Sequence, residues 1–256
     1  MKEANRKKRK GYGLLTLILT LALMGSYKYI SSYSTVSNNV NGKEMPICSV
    51  ETEEKKVALT FDVAWGNENM EKILNILKSR DVRATFFVTG KWAEDYPEDV
   101  KSIQAAGHEL GNHSENHRNM TQLSEEEQKE EVMAAHQKVQ NLTGVTMQLF
   151  RLPYEAYEDA VIRNIQACGY YPIEFSVDSQ DWKEYGRESI IREVLENDNL
   201  KNGAIIRCHS EAKYTADSLE ELIDKIQDKG YRLVTVSDLI YKEPYHLDVT
   251  GRQIAD

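Results

Sequence analysis

The stretch Val57-Ala58-Leu59-Thr60-Phe61-Asp62 joins a short apolar run to a single carboxylate. Such a run is typical of a strand buried on both faces, as in a parallel sheet. Further polar clusters stand beside other apolar runs, namely His113-Ser114-Glu115-Asn116-His117, Arg151-Leu152-Pro153-Tyr154, Asp178-Ser179-Gln180-Asp181-Trp182 and Cys208-His209-Ser210. Because the carboxyl ends of alternating strands converge on one face of a barrel, we expect these clusters to form one site.

Apolar runs alternate with amphipathic stretches along most of the chain. The apolar residues of 67–79 recur on one helical face, and Ser124 with Glu127 predicts a capping box for a helix over 124–142. Six more runs complete a set of seven predicted strands, at 84–88, 108–111, 147–150, 173–177, 204–208 and 232–236. Strands paired with helices predict an α/β fold with a parallel sheet. Periodicity alone leaves both a closed barrel and an open doubly wound sheet as alternatives.

The N-terminus has the features of an export segment. Residues 1–10 carry six cations and one acid, and residues 11–27 lack any charge and are rich in Leu and Ile. This order predicts a cytoplasmic N-terminus and export of the chain that follows. We interpret residues 11–30 as a signal anchor or a cleaved signal peptide, and the lack of an evident Ala-x-Ala site favours the anchor. The protein is then a single-pass cell-membrane protein with its domain outside the cytoplasm, or secreted if the segment is cleaved.

The rest of the chain divides by composition. Residues 31–54 are polar and without a strong period, which predicts a linker, and residues 243–256 are predicted to form a loose tail. Residues 55–242 have the length of one domain. The whole chain has a net charge of −9 despite its basic start, and no basic patch follows. Nucleic acid is therefore excluded as a partner. A neutral or mixed-charge glycan fits this charge balance, and we expect a monomer.

The five clusters, in their order and spacing, resemble the motifs of the polysaccharide deacetylases of the NodB-homology type, carbohydrate esterase family 4. The motifs are Thr-Phe-Asp, His-Ser-x-x-His, Arg-x-Pro-Tyr, Asp-x-x-Asp-Trp and an apolar strand that ends in His. The resemblance covers about residues 55–242, and the stretches 57–66 and 90–92 resemble the sporulation-associated branch. It implies that the sheet closes as a distorted (β/α)7 barrel.

The resemblance implies N-deacetylation of a cell-wall amino sugar, N-acetylglucosamine or N-acetylmuramic acid of peptidoglycan. His113 and His117, with three residues between them, would bind a divalent metal, with zinc favoured and cobalt or manganese as alternatives. Asp62 matches the catalytic base that takes a proton from water. Arg151 matches the residue that pairs with this base and positions it.

The remaining motifs match the groups that act on the leaving amine and the sugar. His209 matches the general acid, and Asp178 matches the aspartate that orients it. The backbone N–H of Tyr154 matches an oxyanion donor. Trp182 is interpreted either as a wall of the groove that stacks on a sugar or as a core residue.

One departure from the family pattern concerns the metal. Val63 stands where most members carry a second aspartate that binds the metal. A valine supplies no donor atom, so further ligands would have to come from water, from Asp62 or from a side chain such as Asn67 or Glu68.

Two more departures lie in later motifs. Glu155 stands where a glycine usually follows Tyr154, and Arg207 interrupts the apolar strand before His209. Strand alternation puts Arg207 on the His209 face, where a cation would oppose protonation of the imidazole. The departures support an alternative, a catalytically weak or inactive family member that acts as a glycan-binding or sporulation-structural protein.

Overall fold

The computed structural model of the chain describes residues 38–242 and 244–256. The predicted basic N-terminus and signal segment lie outside the described residues, so that prediction stays untested. None of the helices within those two ranges has the length and apolar character that crossing a bilayer requires.

The described ranges contain eight helices and thirteen strands. The helices are α1 Met70–Ser79, α2 Gly90–Asp95, α3 Pro97–Ala105, α4 Glu125–Thr143, α5 Asp159–Ala167, α6 Arg187–Leu195, α7 Thr215–Asp228 and α8 Val236–Leu239. The strands are β1 Asn39–Val40, β2 Lys43–Glu44, β3 Ser49–Val50, β4 Lys56–Val63, β5 Thr85–Val88, β6 Glu109–Asn112, β7 Leu149–Phe150, β8 Tyr171–Pro172, β9 Val177–Asp178, β10 Ile205–His209, β11 Arg232–Val234, β12 Tyr245–Leu247 and β13 Arg252–Ala255. Three short 3-10 turns complete the set, at Met120–Gln122, Pro153–Glu155 and Asp181–Lys183.

The central sheet is parallel. Its strands follow the order β8-β7-β6-β5-β4-β10-β9, and β11 pairs with the first residues of β4. The longest strand, β4, is buried from Val57 onward, as expected for a strand covered on both faces. The predicted parallel sheet with alternating helices is confirmed.

The predicted strand over 173–177 is wrong in its continuity, because this part of the chain changes neighbours. The N–H of Ile173 donates to the carbonyl of Phe150 in β7, at 2.8 Å. Three residues later, the N–H of Ser176 donates to the carbonyl of Ile205, the first residue of β10, at 3.1 Å. One bent segment thus serves both edges of the sheet. The sheet is a curled half-barrel, and its two edge strands, β8 and β9, both belong to this one segment.

The predicted linker over 31–54 is wrong from residue 38 onward. Ile47 and Val50 are completely buried, and the N–H of Val50 donates to the carbonyl of Gly203 at 2.9 Å. Strand β3 also pairs with β13, near the C-terminus. These strands are only two to four residues long, too short to produce the alternation by which strands are predicted.

The predicted loose tail over 243–256 is also wrong for its described residues. Strands β12 and β13 form an antiparallel pair, and the side chain of Tyr245 is buried. The side chain of Gln253 is buried as well and bonds to the backbone of Tyr241 in both directions. Side-chain bonds of this kind hold the segment without a long apolar run.

The helices follow the prediction closely. Helix α4 begins with the capping box that was predicted, in which Ser124 and Glu127 bond to each other's backbone N–H groups. Helix α2 was not predicted. It has six residues, begins with a Thr89 cap and buries Trp92, so its helical signal is short.

Candidate active site

The two central strands bring a carboxylate and an imidazole together at their carboxyl ends. In the pairing of β4 with β10, Asp62 lies opposite His209. The Nε2 atom of His209 is 4.0 Å from Oδ2 of Asp62. The sequence prediction that these two groups share one end of the sheet is therefore consistent with the geometry.

Asp62 is held from below by a buried arginine. The Nη1 atom of Arg151 donates to Oδ1 of Asp62 at 2.8 Å and to the hydroxyl of Thr60 at 2.7 Å, and its guanidinium lies 4.1 Å above the ring of Phe87. Burial raises the pKa of Asp62, but the charge of Arg151 and the neighbouring imidazoles outweigh burial, so this pKa lies well below its ordinary range. Asp62 is thus a carboxylate at neutral pH.

The imidazole of His209 is oriented by Asp181. The Nδ1–H of His209 donates to Oδ1 of Asp181 at 2.7 Å. The other oxygen of Asp181 accepts from the N–H of His209 at 2.7 Å and from the hydroxyl of Thr215 at 2.6 Å. Burial lowers the pKa of His209, whereas the bond to Asp181 and its charge raise it, and the net result is a raised pKa. When the ring is protonated, its Nε2–H therefore lies on the side that faces Asp62.

The prediction that Asp178 orients His209 names the wrong aspartate of the Asp-x-x-Asp-Trp motif. Oδ2 of Asp178 accepts a bond from Arg207 at 2.8 Å instead. The physical reason is that Arg207 points to the same side of β10 as His209 and takes this carboxylate. Asp181 follows a left-handed residue, Gln180, which turns the second aspartate of the motif toward His209.

The two predicted metal ligands lie side by side. The ring centroids of His113 and His117 are 4.7 Å apart. The Nδ1–H of His113 donates to the carbonyl of Arg151 at 2.9 Å, which leaves Nε2 with its lone pair. Burial lowers the pKa of His113 to about 4 and also lowers that of His117. Both rings are therefore neutral at pH 7, as metal ligands must be.

The residues present do not fit a metal centre with three protein ligands. Among residues 38–242 and 244–256, no group of three His, Cys, Asp or Glu side chains is placed to hold an ion. The side chain of Val63 is completely buried within the hydrophobic core. Asn67 donates to Asp99, and Glu68 accepts from the N–H of Asn67, so both are engaged elsewhere. Catalytic zinc sites usually have three protein ligands, one more than the two imidazoles here.

Exposed aromatic side chains border the site. Tyr154 is 66% exposed and Trp182 is 54% exposed, and the ring of Tyr154 lies 4.7 Å from that of His117. Of the two interpretations of Trp182, its exposure agrees with a groove wall and not with a core residue.

Trp65 is a site residue that the sequence prediction missed. Its ring is 54% exposed and lies 6.3 Å from the ring of His209 and 6.4 Å from that of His117. The next residue, Gly66, is fixed because its carbonyl accepts from the indole of buried Trp92 at 2.6 Å. The signal available in the sequence was an aromatic residue two positions after the strand that carries Asp62.

The geometry defines a class of site. An ionised carboxylate and an imidazole with a raised pKa face each other across a short gap, beside two neutral imidazoles and under exposed aromatic rings. This arrangement can take a proton from water and return one to a leaving group, which is hydrolytic acid–base chemistry.

Comparison with known proteins agrees with this class. The family model for polysaccharide deacetylases matches residues 49–173. An uncharacterized protein of Bacillus subtilis, YlxY, is 35% identical over 211 residues, which are 81% of this chain and 65% of YlxY. The chain thus spans slightly less than two thirds of that relative. A peptidoglycan-N-acetylglucosamine deacetylase of Bacillus cereus is 32% identical over 188 residues, 72% of this chain and 68% of the enzyme.

Among solved structures, the crystal structure of BA3943 from Bacillus anthracis is similar, with a TM-score of 0.74 and 30% identity. The alignment covers 83% of this chain and 73% of BA3943, which is described as a pseudoenzyme of carbohydrate esterase family 4. The chain described here belongs to the polysaccharide deacetylase family, carbohydrate esterase family 4. The relatives include both an enzyme and a pseudoenzyme.

Proposed function

We propose that this protein removes the acetyl group from an amino sugar of peptidoglycan, N-acetylglucosamine or N-acetylmuramic acid. The observation that carries the proposal is the 4.0 Å approach of His209 Nε2 to Asp62 Oδ2. Each group also has its own partner on the far side, Arg151 for the carboxylate and Asp181 for the imidazole. A pair arranged in this way holds a base and an acid ready at the same pH.

The proposed reaction uses these residues in order. Asp62 takes a proton from a water molecule as the water oxygen bonds to the acetamide carbonyl carbon. The backbone N–H of Tyr154 is the proposed donor to the oxygen that becomes negative. When the carbon–nitrogen bond breaks, Nε2 of His209 gives its proton to the departing nitrogen. Acetate and the free amine of the sugar are the products.

The exposed rings supply the proposed sugar-binding surface. Trp65, Trp182 and Tyr154 offer flat apolar faces at the groove, and sugar rings bind such faces through their C–H groups. Because Trp65 also contacts His209 and His117, a sugar on its face would bring the acetamido group next to the acid–base pair.

We further propose that His113 and His117 hold a divalent ion, with zinc favoured and cobalt or manganese as alternatives. Imidazole nitrogen is a good ligand for each of these metals. We expect loose binding, because two protein ligands are fewer than the usual three. The substitution His113→Ala should weaken zinc binding by at least about tenfold. Calorimetric titration of the protein with zinc, without any glycan, would measure this change.

A second candidate function is glycan binding without turnover. Val63 in the core and the two-ligand metal site favour it, as does the likeness to a pseudoenzyme. In that case the aromatic groove would bind peptidoglycan while the acid–base pair remains idle.

The setting of the domain is also a proposal. The basic and apolar residues 1–30 would anchor the protein in the cell membrane and hold the domain on the outer side, facing the cell wall. We propose that the protein acts as a monomer and, on its resemblance to the sporulation-associated branch, that it acts in spore formation.

The experiment that separates the two functions is acetate release from peptidoglycan fragments, run without metal and with added zinc, cobalt or manganese. We expect release that increases with metal and is reduced in His113→Ala. Binding of the same fragments without any release, by folded protein under all four conditions, would establish the glycan-binding function instead.

A further inference from the structure

Arg207 lies beneath the groove with its charged group buried. It occupies the middle of β10, where its backbone is level with Thr60 of β4 and Asp178 of β9. Its guanidinium lies 3.8 Å above the ring of Phe175. A flat cation that is stacked on a ring and rooted in a central strand cannot easily follow movements of the surrounding loops.

One arm of Arg207 reaches the turn that carries Tyr154. Nη1 donates to Oε1 of Glu155 at 2.6 Å. Within the Pro153–Glu155 turn, Tyr154 has φ 63° and Glu155 has φ 55°, two successive left-handed residues that are not glycine. The turn's own backbone bonds, from the N–H groups of Glu155 and Ala156, are long at 3.3 Å each. The ion pair with Arg207 is therefore the shortest tether of this turn.

The other arm reaches the turn that carries Trp182. Nη2 donates to Oδ2 of Asp178 at 2.8 Å. Oδ1 of Asp178 accepts from the N–H of Gln180 at 3.0 Å, and the indole N–H of Trp182 lies 3.5 Å from Oδ2. Asp178 thus links Arg207 to the Asp181–Lys183 turn, which carries Trp182.

We propose that Arg207, through Glu155 and Asp178, is a positioning residue that fixes the two aromatic walls of the groove, Tyr154 and Trp182, relative to each other. Glu155 and Arg207, which both depart from the family pattern, form an ion pair with each other. The inference rests on the proposed function for its ligand, a sugar. It adds that Arg207 sets the width of the groove between Tyr154 and Trp182, and that this width determines which sugar fits.

The test is amide hydrogen exchange in four variants of the full chain. Arg207→Leu should speed exchange about tenfold in both turns, at Glu155 and Ala156 and at Lys183 and Glu184. Glu155→Gln should do so only in the Tyr154 turn, and Asp178→Asn only in the Trp182 turn. Arg80→Leu is the matched control, since Arg80 also pairs with two carboxylates but lies on another part of the surface.

The exchange measurements test the proposal whether or not the protein has enzymatic activity. Unchanged exchange in both turns of Arg207→Leu would overturn the proposal, and so would equal loosening of both turns by Glu155→Gln. The conservative Glu155→Gln change keeps the test valid if Arg207→Leu fails to fold. An N-acetylglucosamine tetramer serves as the ligand probe, and Arg207→Leu should bind it about tenfold more weakly than Arg80→Leu. If the wild type binds the tetramer but releases no acetate from peptidoglycan fragments under any metal condition, deacetylation fails while the positioning role stands.

Discussion

At the scale of single residues, the identity of the partner of His209 decides how the site works. The sequence offers two aspartates, Asp178 and Asp181, in one motif, and spacing alone does not distinguish them. The distinction depends on the left-handed backbone of Gln180 and on the competing cation of Arg207, neither of which leaves a periodic signal. The partner of His209 therefore becomes clear only in three dimensions.

The pKa of His209 should report its partner directly. Asp181→Asn removes the charge that favours the imidazolium, so the pKa should fall below its ordinary value of 6.5 as burial becomes dominant. Asp178→Asn is the matched control and should leave this pKa above that of Asp181→Asn. NMR titration of the ring protons measures both, and a larger fall in Asp178→Asn would contradict the assignment.

Stability should depend on pH through the same residue. The folded pKa of His209 is raised above the unfolded value of 6.5, so its contribution is complete below pH 6.5 and is lost as pH rises through the folded pKa. Urea unfolding of the wild type and of His209→Gln should therefore differ most in mildly acidic solution, with a gap that narrows toward alkaline pH. A gap that widens with pH would contradict the assigned direction.

At the scale of elements, the long parallel strands and the amphipathic helices follow directly from the sequence. Strand β4 and helix α4 are examples, because each buries a continuous apolar face or begins with a known cap. Strands β3, β12 and β13 could not be predicted, because each is short and held by single buried side chains and backbone bonds to distant parts of the chain. Prediction from a pattern needs repetition, and two to four residues do not repeat.

Substitution of Gly203 should test whether the segment that begins at residue 38 is packed as part of the domain. Gly203 has φ +80°, and a Cβ there would lie 1.8 Å from the carbonyl oxygen of Val50 in β3. Gly203→Ala should lower the free energy of unfolding by roughly 3–5 kcal/mol, because the clash displaces β3. Denaturant unfolding provides the measurement.

The control is Gly144→Ala, at a position with φ +75° and no atom within 4 Å of an added Cβ. Gly144→Ala should lower the free energy of unfolding only by the cost of a left-handed backbone at alanine, about 1–2 kcal/mol. If the two variants lost equal stability, β3 would not be packed as described.

At the scale of the whole molecule, five motifs spread over about 150 residues meet at one end of a curled sheet. This convergence could be predicted, because parallel strands place their carboxyl ends on the same side. The roles of Trp65 and of the Arg207 network could not be predicted, because they depend on loops and on ion pairs between distant parts of the chain. The departures at Val63, Glu155 and Arg207 alter the metal site and the groove, whereas the acid–base pair stays complete.

The pH dependence of hydrolysis should reflect the two groups of this pair. Asp62 has a lowered pKa and remains ionised in mild acid, whereas His209 must be protonated to act. We expect kcat/KM to hold from about pH 5 and to decline as pH rises through the pKa of His209. In Asp181→Asn this decline should begin at lower pH. A rate that increases steadily into alkaline solution would assign the acid to another group.

The most direct test of hydrolysis by the Asp62–His209 pair is acetate release from peptidoglycan fragments by three variants beside the wild type. Asp62→Asn and His209→Ala should each lower kcat by roughly 10²–10⁴, and the double variant should be little slower than the worse single one. Binding of the fragments should persist in all of them. Measurable wild-type turnover that survives unchanged in either single variant would contradict the account.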